Sequence, residues 1–370
     1  MVSEIIFHEP ITQWDWKIGQ YVALIGLAGG AYLVGYVADI LGLRTGSRAH
    51  SQVAKYGYLT GLLVMAVSPL VMLSHLATPF RAMALPLTMS NLGSWMAIGS
   101  YLMGGFAFGS FLMFAWMAFG KARPGASAGS NLAADGGKVT DGGTADAATG
   151  TGGEVGGGFR GVANRVGLLG ILDTFADRTR PSGPARLGIG ALFGITAAGV
   201  LLYSAMALGS GPTGRVPLWD KTFFIPVQIT GGLATGLVTA VGLAALAERA
   251  TGRTVQKYAV AGAGLLVVYL LTSVASSVVL PGHTPAAEAG VASLVGEYTA
   301  LFVGLGIVGG VVIPAALSLA AVFGRRVGSL SESGAVAAYT TAAALVIAGK
   351  LAVGLSYLLA ANFTPLPLPV

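Results

Sequence analysis

The chain has no cysteine and very little charge. Without thiols it can form no disulfide, offer no thiolate nucleophile and ligate no iron–sulfur cluster of its own. Histidine is scarce as well. His8, His50, His75 and His283 are the only four, and of these only His75 closely borders an apolar run. A b-type haem inside a membrane needs axial ligands that face each other within a helical bundle, and the sequence supplies no such pair. Electrons crossing this chain would therefore be carried by a bound organic molecule or by another subunit. Asp, Glu, Lys and Arg make up only 10% of the 370 residues, against about 25% in soluble domains. No Walker loop, HExxH, GxSxG or cysteine-rich metal motif occurs.

What is abundant is apolar surface. The composition is 54% hydrophobic and the mean hydropathy is +0.75. Apolar runs of about twenty residues or more, enough to cross about 30 Å of hydrocarbon, recur along the chain. Eight are read: 18–43, 53–76, 92–119, 187–208, 223–246, 258–280, 292–323 and 335–361. Barrel strands would show alternating segments of about ten residues, so these runs predict helices. The expected fold class is an all-α integral membrane bundle of eight transmembrane helices. Met1–Lys17 carries acids, a proline and two tryptophans instead of a basic start and an apolar core, so the first span is expected to be kept.

Loop charge predicts the orientation. One set of loops holds Arg44, Arg48 and Lys55, the eight basic residues from Lys121 to Arg186, then Arg249, Arg253 and Lys257, and finally Arg325 and Arg326. The opposite set holds only Lys17, Arg81, Arg215 and Lys221. The positive-inside rule puts the first set in the cytoplasm and both termini outside, in a multi-pass protein of the cytoplasmic membrane. The net charge of +6 is thus a topology signal, with no nucleic acid implied.

Three divisions follow: residues 1–120 with the first three spans, 121–186 as a cytoplasmic insert, and 187–370 with the remaining five. Within the insert, Lys121–Gly158 is rich in Gly, Ala, Ser, Thr and Asp, with almost no large apolar side chains. It reads as disordered because it has little to bury. From Phe159 to Arg180 the composition changes, with Val162, Val166, Leu169, Ile171, Leu172 and Phe175 interspersed among arginines. Two readings stand side by side, a short basic amphipathic helix on the inner membrane face and a loosely ordered linker.

Polar and aromatic residues gather on the other side. Trp14-Asp15-Trp16-Lys17 precedes the first span, and Gln20 and Tyr21 follow at its first turns. Tryptophans at this depth commonly belong to the interfacial belt. Tyr21 adjoins Gly26-Leu27-Ala28-Gly29-Gly30, where small residues let a helix or a flat ligand approach the backbone. The segment from His75 to Arg81, continuing to Asn91, Ser94 and Trp95, places an imidazole and a guanidinium at the interface. His75 can exchange a proton near neutral pH, or simply cap its helix. A third polar turn, Ser210–Trp219, leads into Phe223, Phe224 and Pro226.

Lys350 is the outlier. It stands fifteen residues into the last apolar run, and an ammonium in hydrocarbon costs several kcal/mol, roughly 3 on lenient scales. Glu297, near the start of the seventh run, is its expected ion-pair partner, either as structure or as part of a proton path. Asp39, at the inner end of the first, is expected to be solvated or paired with a loop arginine.

Several of these segments resemble the polysulfide-reductase/NrfD-like family of membrane subunits. Trp14–Gly35, with its paired tryptophans, Tyr21 and GLAGG, looks like that family's first helix. His75–Trp95 resembles its HLxxPxR…SxxSW connection, and Ser204–Gly236 resembles its turn between helices four and five. Lys350 falls where the last helix of the family often has an arginine. The resemblance implies a quinone-binding subunit, haem-free and cluster-free, for menaquinone or ubiquinone. Such a subunit docks an extracytoplasmic ferredoxin-like iron–sulfur subunit, which serves a molybdopterin or multihaem catalytic subunit.

Carried over by motif, Tyr21, His75, Arg81, Asn91 and Trp95 would form the quinone pocket, with His75 and Tyr21 as the proton-handling pair. Tyr21 stands where the family uses a histidine, which keeps hydrogen bonding but alters proton exchange. Electrons would flow in either direction, through quinol oxidation or quinone reduction. Two alternatives remain. One is a secondary transporter using Lys350, Glu297 and Asp39; the other is an anchor subunit that binds no quinone.

Overall fold

The computed structural model of the protein describes residues 16–74, 94–119, 159–209 and 216–361. The described residues are helical throughout, without a strand, and include eight helices long and apolar enough to cross a membrane. The spans are α1 (Trp16–Thr45), α2 (Arg48–Leu73), α3 (Trp95–Ala118), α6 (Gly183–Leu208), α7 (Lys221–Glu248), α8 (Arg253–Val279), a two-part seventh span, and α11 (Glu332–Leu359). Between α3 and α6 come two shorter helices, α4 (Phe159–Arg165) and α5 (Leu169–Thr179). The chain is thus the all-α bundle that its eight apolar runs predict.

Residue contacts divide the chain into two units, Met1–Phe114 with Pro181–Val370, and Ala115–Arg180. The expected insert began at 121 and ended at 186. The second unit instead takes in the last residues of α3 and leaves Arg186 with the bundle.

In the first unit, α1 is the hub, packed against α2, α6, α7 and α11. Its small residues explain this. A Cβ at Gly19 would lie 2.7 Å from the Gly354 carbonyl oxygen of α11, and one at Gly29 would lie 2.7 Å from the Ala197 carbonyl of α6. Gly30 meets the Gly232 carbonyl of α7 even more closely, and Gly35 abuts Gly57 of α2. Lipid offers no hydrophobic drive between helices, so close backbone contact at small residues is what holds them. The GLAGG run is therefore taken up by helix crossings at Gly29 and Gly30. By contrast α8 turns Val267, Leu271, Val274 and Val278 outward, as suits a helix at the edge of a bundle in lipid.

The seventh span departs from its prediction. One continuous helix was expected from Ala292. A short helix, α9 (Pro285–Val295), ends instead at Gly296, whose backbone leaves the helical region. Glu297 and Tyr298 form a turn, and Ala300–Val312 then winds as a π-helix before α10 (Ile313–Arg326). Thirteen residues of π-helix are far more than the usual single-turn bulge. Gly306 and Gly310 in this stretch press against Val353 and Gly349 of α11, the latter at backbone-to-backbone contact. This packing sits one residue from Lys350.

Local caps fix the connections. Asp220 accepts from the Thr222 amide at the start of α7 (2.8 Å), and Ser331 accepts from the Gly334 amide at the start of α11 (3.1 Å).

Candidate functional site

Lys350 is buried on α11, with 3% of its surface exposed. Its Nζ donates to Gln228 Oε1 of α7 at 2.8 Å and stands 5.4 Å from the centre of the Tyr269 ring of α8. Two glycines make room for it. A Cβ at Gly231 would fall 2.9 Å from Nζ, and one at Gly26 would fall 3.3 Å from Gln228 Oε1. The amine therefore rests on a neutral carboxamide and an aromatic face, and among the described residues no carboxylate pairs with it. At about 1.5 Å per residue, it lies about 14 Å below the end of α11.

Lys350 and Gln228 form the floor of a small cavity. Its walls come from Ile18, Gly19 and Val22 of α1, Leu208 of α6, Phe224 and Val227 of α7, and Val353, Gly354 and Tyr357 of α11, with Trp219 beside them. All these segments approach from the face on which α1 and α7 begin and α6 and α11 end. A short 3₁₀ turn, Pro217–Trp219, carries Trp219, whose indole Nε1 donates to the Tyr357 carbonyl at 3.1 Å and ties this turn to α11. The Phe224 and Tyr357 rings lie 5.7 Å apart. Away from the floor the lining is apolar and aromatic. The open interior has room for one or two waters.

The other expected site residues fall elsewhere. Tyr21 is buried on α1, but it turns away from this cavity. Its hydroxyl donates to Met103 Sδ at 3.2 Å and interacts with the Tyr203 phenol of α6. Trp95 is the first residue of α3 and is half-buried. His75, Arg81 and Asn91 lie outside the described residues. Lys350 and Glu297 are not brought together. Glu297 is exposed in the turn after α9, because the break at Gly296 holds it off the span, and Gln228 occupies the place expected for it.

Asp39 is buried rather than solvated, and a loop-side arginine does pair with it. Arg186, at the start of α6, donates from Nη2 to Asp39 Oδ1 at 2.5 Å, and the Tyr58 hydroxyl donates to Oδ2 at 3.3 Å. Tyr32 stacks edge-on against Tyr58, ring centres 4.9 Å apart, and donates to the Gly190 carbonyl at 3.0 Å. Thirteen residues of α1 separate Asp39 from Gly26 beside Lys350, about 20 Å along the helix. The two charged sites stand apart, at different depths.

Sequence reasoning passed over Gln228, Tyr269 and Gly231, while Gly26 was singled out only as a point of close approach. The signal for Gln228 was present, since a carboxamide seven residues into an apolar helix invites the same question as a lysine. It also passed over Glu248, which pairs with Lys55 and accepts from Gln52 Nε2 at 2.7 Å at the end of α7.

The chain matches no protein-family model and no curated protein, so the site rests on its own geometry.

Proposed function

We propose that this chain is the quinone-binding membrane subunit of a respiratory oxidoreductase complex, and that the quinone ring occupies the Lys350 cavity rather than a pocket at Tyr21. The observation that carries this reading is the buried amine with, among the described residues, a single neutral acceptor at the floor of an aromatic cavity. An uncompensated ammonium is costly in a bundle, and a ligand oxygen arriving above it would supply the missing acceptor. The resemblance of the first helix and of the Ser204–Gly236 turn to NrfD-like subunits adds support, because both segments border this cavity.

The residues fit the chemistry. Lys350 and the Gln228 carboxamide can donate to ring oxygens, while Phe224, Trp219 and Tyr357 offer apolar walls. The present opening is tighter than a quinone ring, so entry requires the side chains at its mouth to swing aside. A bound quinol would pass two electrons to a docked subunit and release two protons to the water on that subunit's face, and quinone reduction would run the same exchange in reverse. The chain's own part is to hold the ring oxygen at Lys350 and to keep bulk water from the floor. An extracytoplasmic ferredoxin-like iron–sulfur subunit, docked on the face where the cavity opens, would exchange those electrons with a molybdopterin or multihaem partner.

A second reading draws on one observation. The π-helical stretch against Gly349 resembles the irregular helices around which carriers rearrange. In that reading Lys350 is the ion-coupling group of a secondary transporter.

Titration of the purified chain in detergent with a short-tailed quinone separates the two. The expected result is saturable binding weakened about tenfold or more by Lys350→Met, as loss of a charge-assisted hydrogen bond implies, and left intact by Tyr21→Phe. Unchanged binding in Lys350→Met would refute this location of the ring. No binding to the parent chain, together with Lys350-dependent ion flux in vesicles, would establish the carrier.

A further inference from the structure

The second unit carries a surface with no role in the proposed chemistry. Helix α4 ends in a Schellman turn. Leu168 N donates to the Ala163 carbonyl (2.9 Å) and Gly167 N to the Asn164 carbonyl (3.1 Å), with Gly167 at a φ of 72° that favours glycine. Helix α5 follows at once, and its apolar residues form two adjoining stripes. Leu169, Leu172 and Ala176 recur at helical spacing on the covered side, where Ala176 is fully buried. Leu168 and Ile171 begin the neighbouring stripe and stand open, 48% and 66% exposed, as does Val166 at 60%. Arg165 and Arg178 are exposed nearby, and Asp173 and Asp177 lie on the opposite arc of α5.

The C-terminal end of α5 is tied to the end of α3. Trp116, in the last turn of the third span, donates from its indole Nε1 to Thr179 Oγ1 at 2.9 Å, and Arg180 donates to the Phe119 carbonyl. Trp116 itself is buried, so this contact is packed within the unit. Four residues beyond Thr179, Gly183 begins the next span. Helix α5 thus ends beside the last turn of α3 and carries an open apolar stripe bordered by arginines. Leu and Ile enter the acyl boundary, whereas guanidinium groups meet phosphate.

We infer that α4 and α5 form a lipid-binding element: the Val166–Leu168–Ile171 stripe inserts at the acyl boundary, and Arg165 and Arg178 hold the phosphates of anionic lipids. The charge of the stripe's border selects lipid over a neutral protein surface. Arg160 and Arg180 bring the arginines of residues 159–180 to four against two aspartates.

The cysteine-free chain makes the test direct. Ile171→Cys and Gly170→Cys each carry one environment-sensitive fluorophore in the full-length protein, reconstituted in nanodiscs of phosphatidylcholine with or without phosphatidylglycerol. A Cβ at Gly170 meets nothing within 4 Å, so this control position tolerates the label. Lipids spin-labelled near the top of the acyl chain should quench the label at 171 about threefold more than the label at 170. The excess should be larger with phosphatidylglycerol and should shrink in an Arg165→Gln/Arg178→Gln background. Equal quenching of both positions by a water-soluble agent would overturn the inference by placing the stripe in water. A label at 171 shielded from both lipid and aqueous quenchers would overturn it too, by showing that another protein surface covers the stripe. Equal quenching in both lipid compositions would remove the role assigned to the arginines.

Discussion

The Lys350–Gln228 contact makes an unusual prediction, because its two partners should differ in the sign of their effect on stability. Gln228→Leu removes the one hydrogen-bond acceptor that the described residues give the buried amine, leaving it the Tyr269 face at 5.4 Å. Losing a hydrogen bond to a charged group costs about 2–3 kcal/mol when the charge is left behind. Lys350→Met removes the charge itself, in a side chain of similar reach. That change relieves a desolvation penalty of several kcal/mol, on the order of 3. It also strands the Gln228 carboxamide, at a cost of about 1–3 kcal/mol. The net effect of Lys350→Met is therefore between neutral and about 2 kcal/mol stabilising. The two single variants should differ by at least about 2 kcal/mol, roughly thirtyfold in the folded-to-unfolded ratio.

The double variant, with both partners apolar, should be at least as stable as the parent. Reversible unfolding in mixed micelles of mild detergent and dodecyl sulfate, followed by circular dichroism, measures all four species. If Lys350→Met destabilises as much as Gln228→Leu, the lysine is a structural member of the bundle. The argument that it is kept for a ligand despite its cost then fails.

Other expectations follow from the packing. Gly349→Ala puts a Cβ into the Gly310 backbone and should lower stability by about 2 kcal/mol, whereas Gly104→Ala on α3, where a Cβ meets nothing within 4 Å, should raise it by about 0.5–1 kcal/mol. Thermal unfolding in detergent checks both. Asp39→Asn strips Arg186 of its carboxylate and should cost about 3 kcal/mol in the same assay, while Asp39→Leu/Arg186→Met together should cost less. Tyr21→Phe loses one hydroxyl contact to sulfur, should change stability by less than about 1 kcal/mol, and should leave quinone binding intact by calorimetry.

The spans were legible because length and apolarity are properties of single segments: seven of the eight predicted runs fall on one helix within about five residues, and the seventh is broken at Gly296. For Asp39 the sequence left two outcomes open, solvation or pairing with a loop arginine, and its burial against Arg186 decides between them. Lys350's partner was not. Formal charge drew the search to Glu297, while the residue in contact is a neutral carboxamide 122 positions away in sequence. Only the glycine crossings that bring α7 against α1 and α11 decide that meeting. The π-helix escaped for a related reason. Ala300–Val312 reads as an ordinary apolar helix, and its winding goes with backbone contact between Gly310 and Gly349. Nor does the composition of any one segment reveal a cavity assembled from the ends of four spans.

The Gly19–Gly354 crossing has a consequence for biogenesis. These glycines are 335 residues apart in sequence, and at about 5–20 residues per second their synthesis is separated by roughly 20 s to a minute. During that interval α1 resides in the membrane with its grooved face unmatched. The Lys350 cavity has no far wall until the eighth helix arrives, so a nascent chain halted before Gly349 would hold seven inserted spans and no cavity.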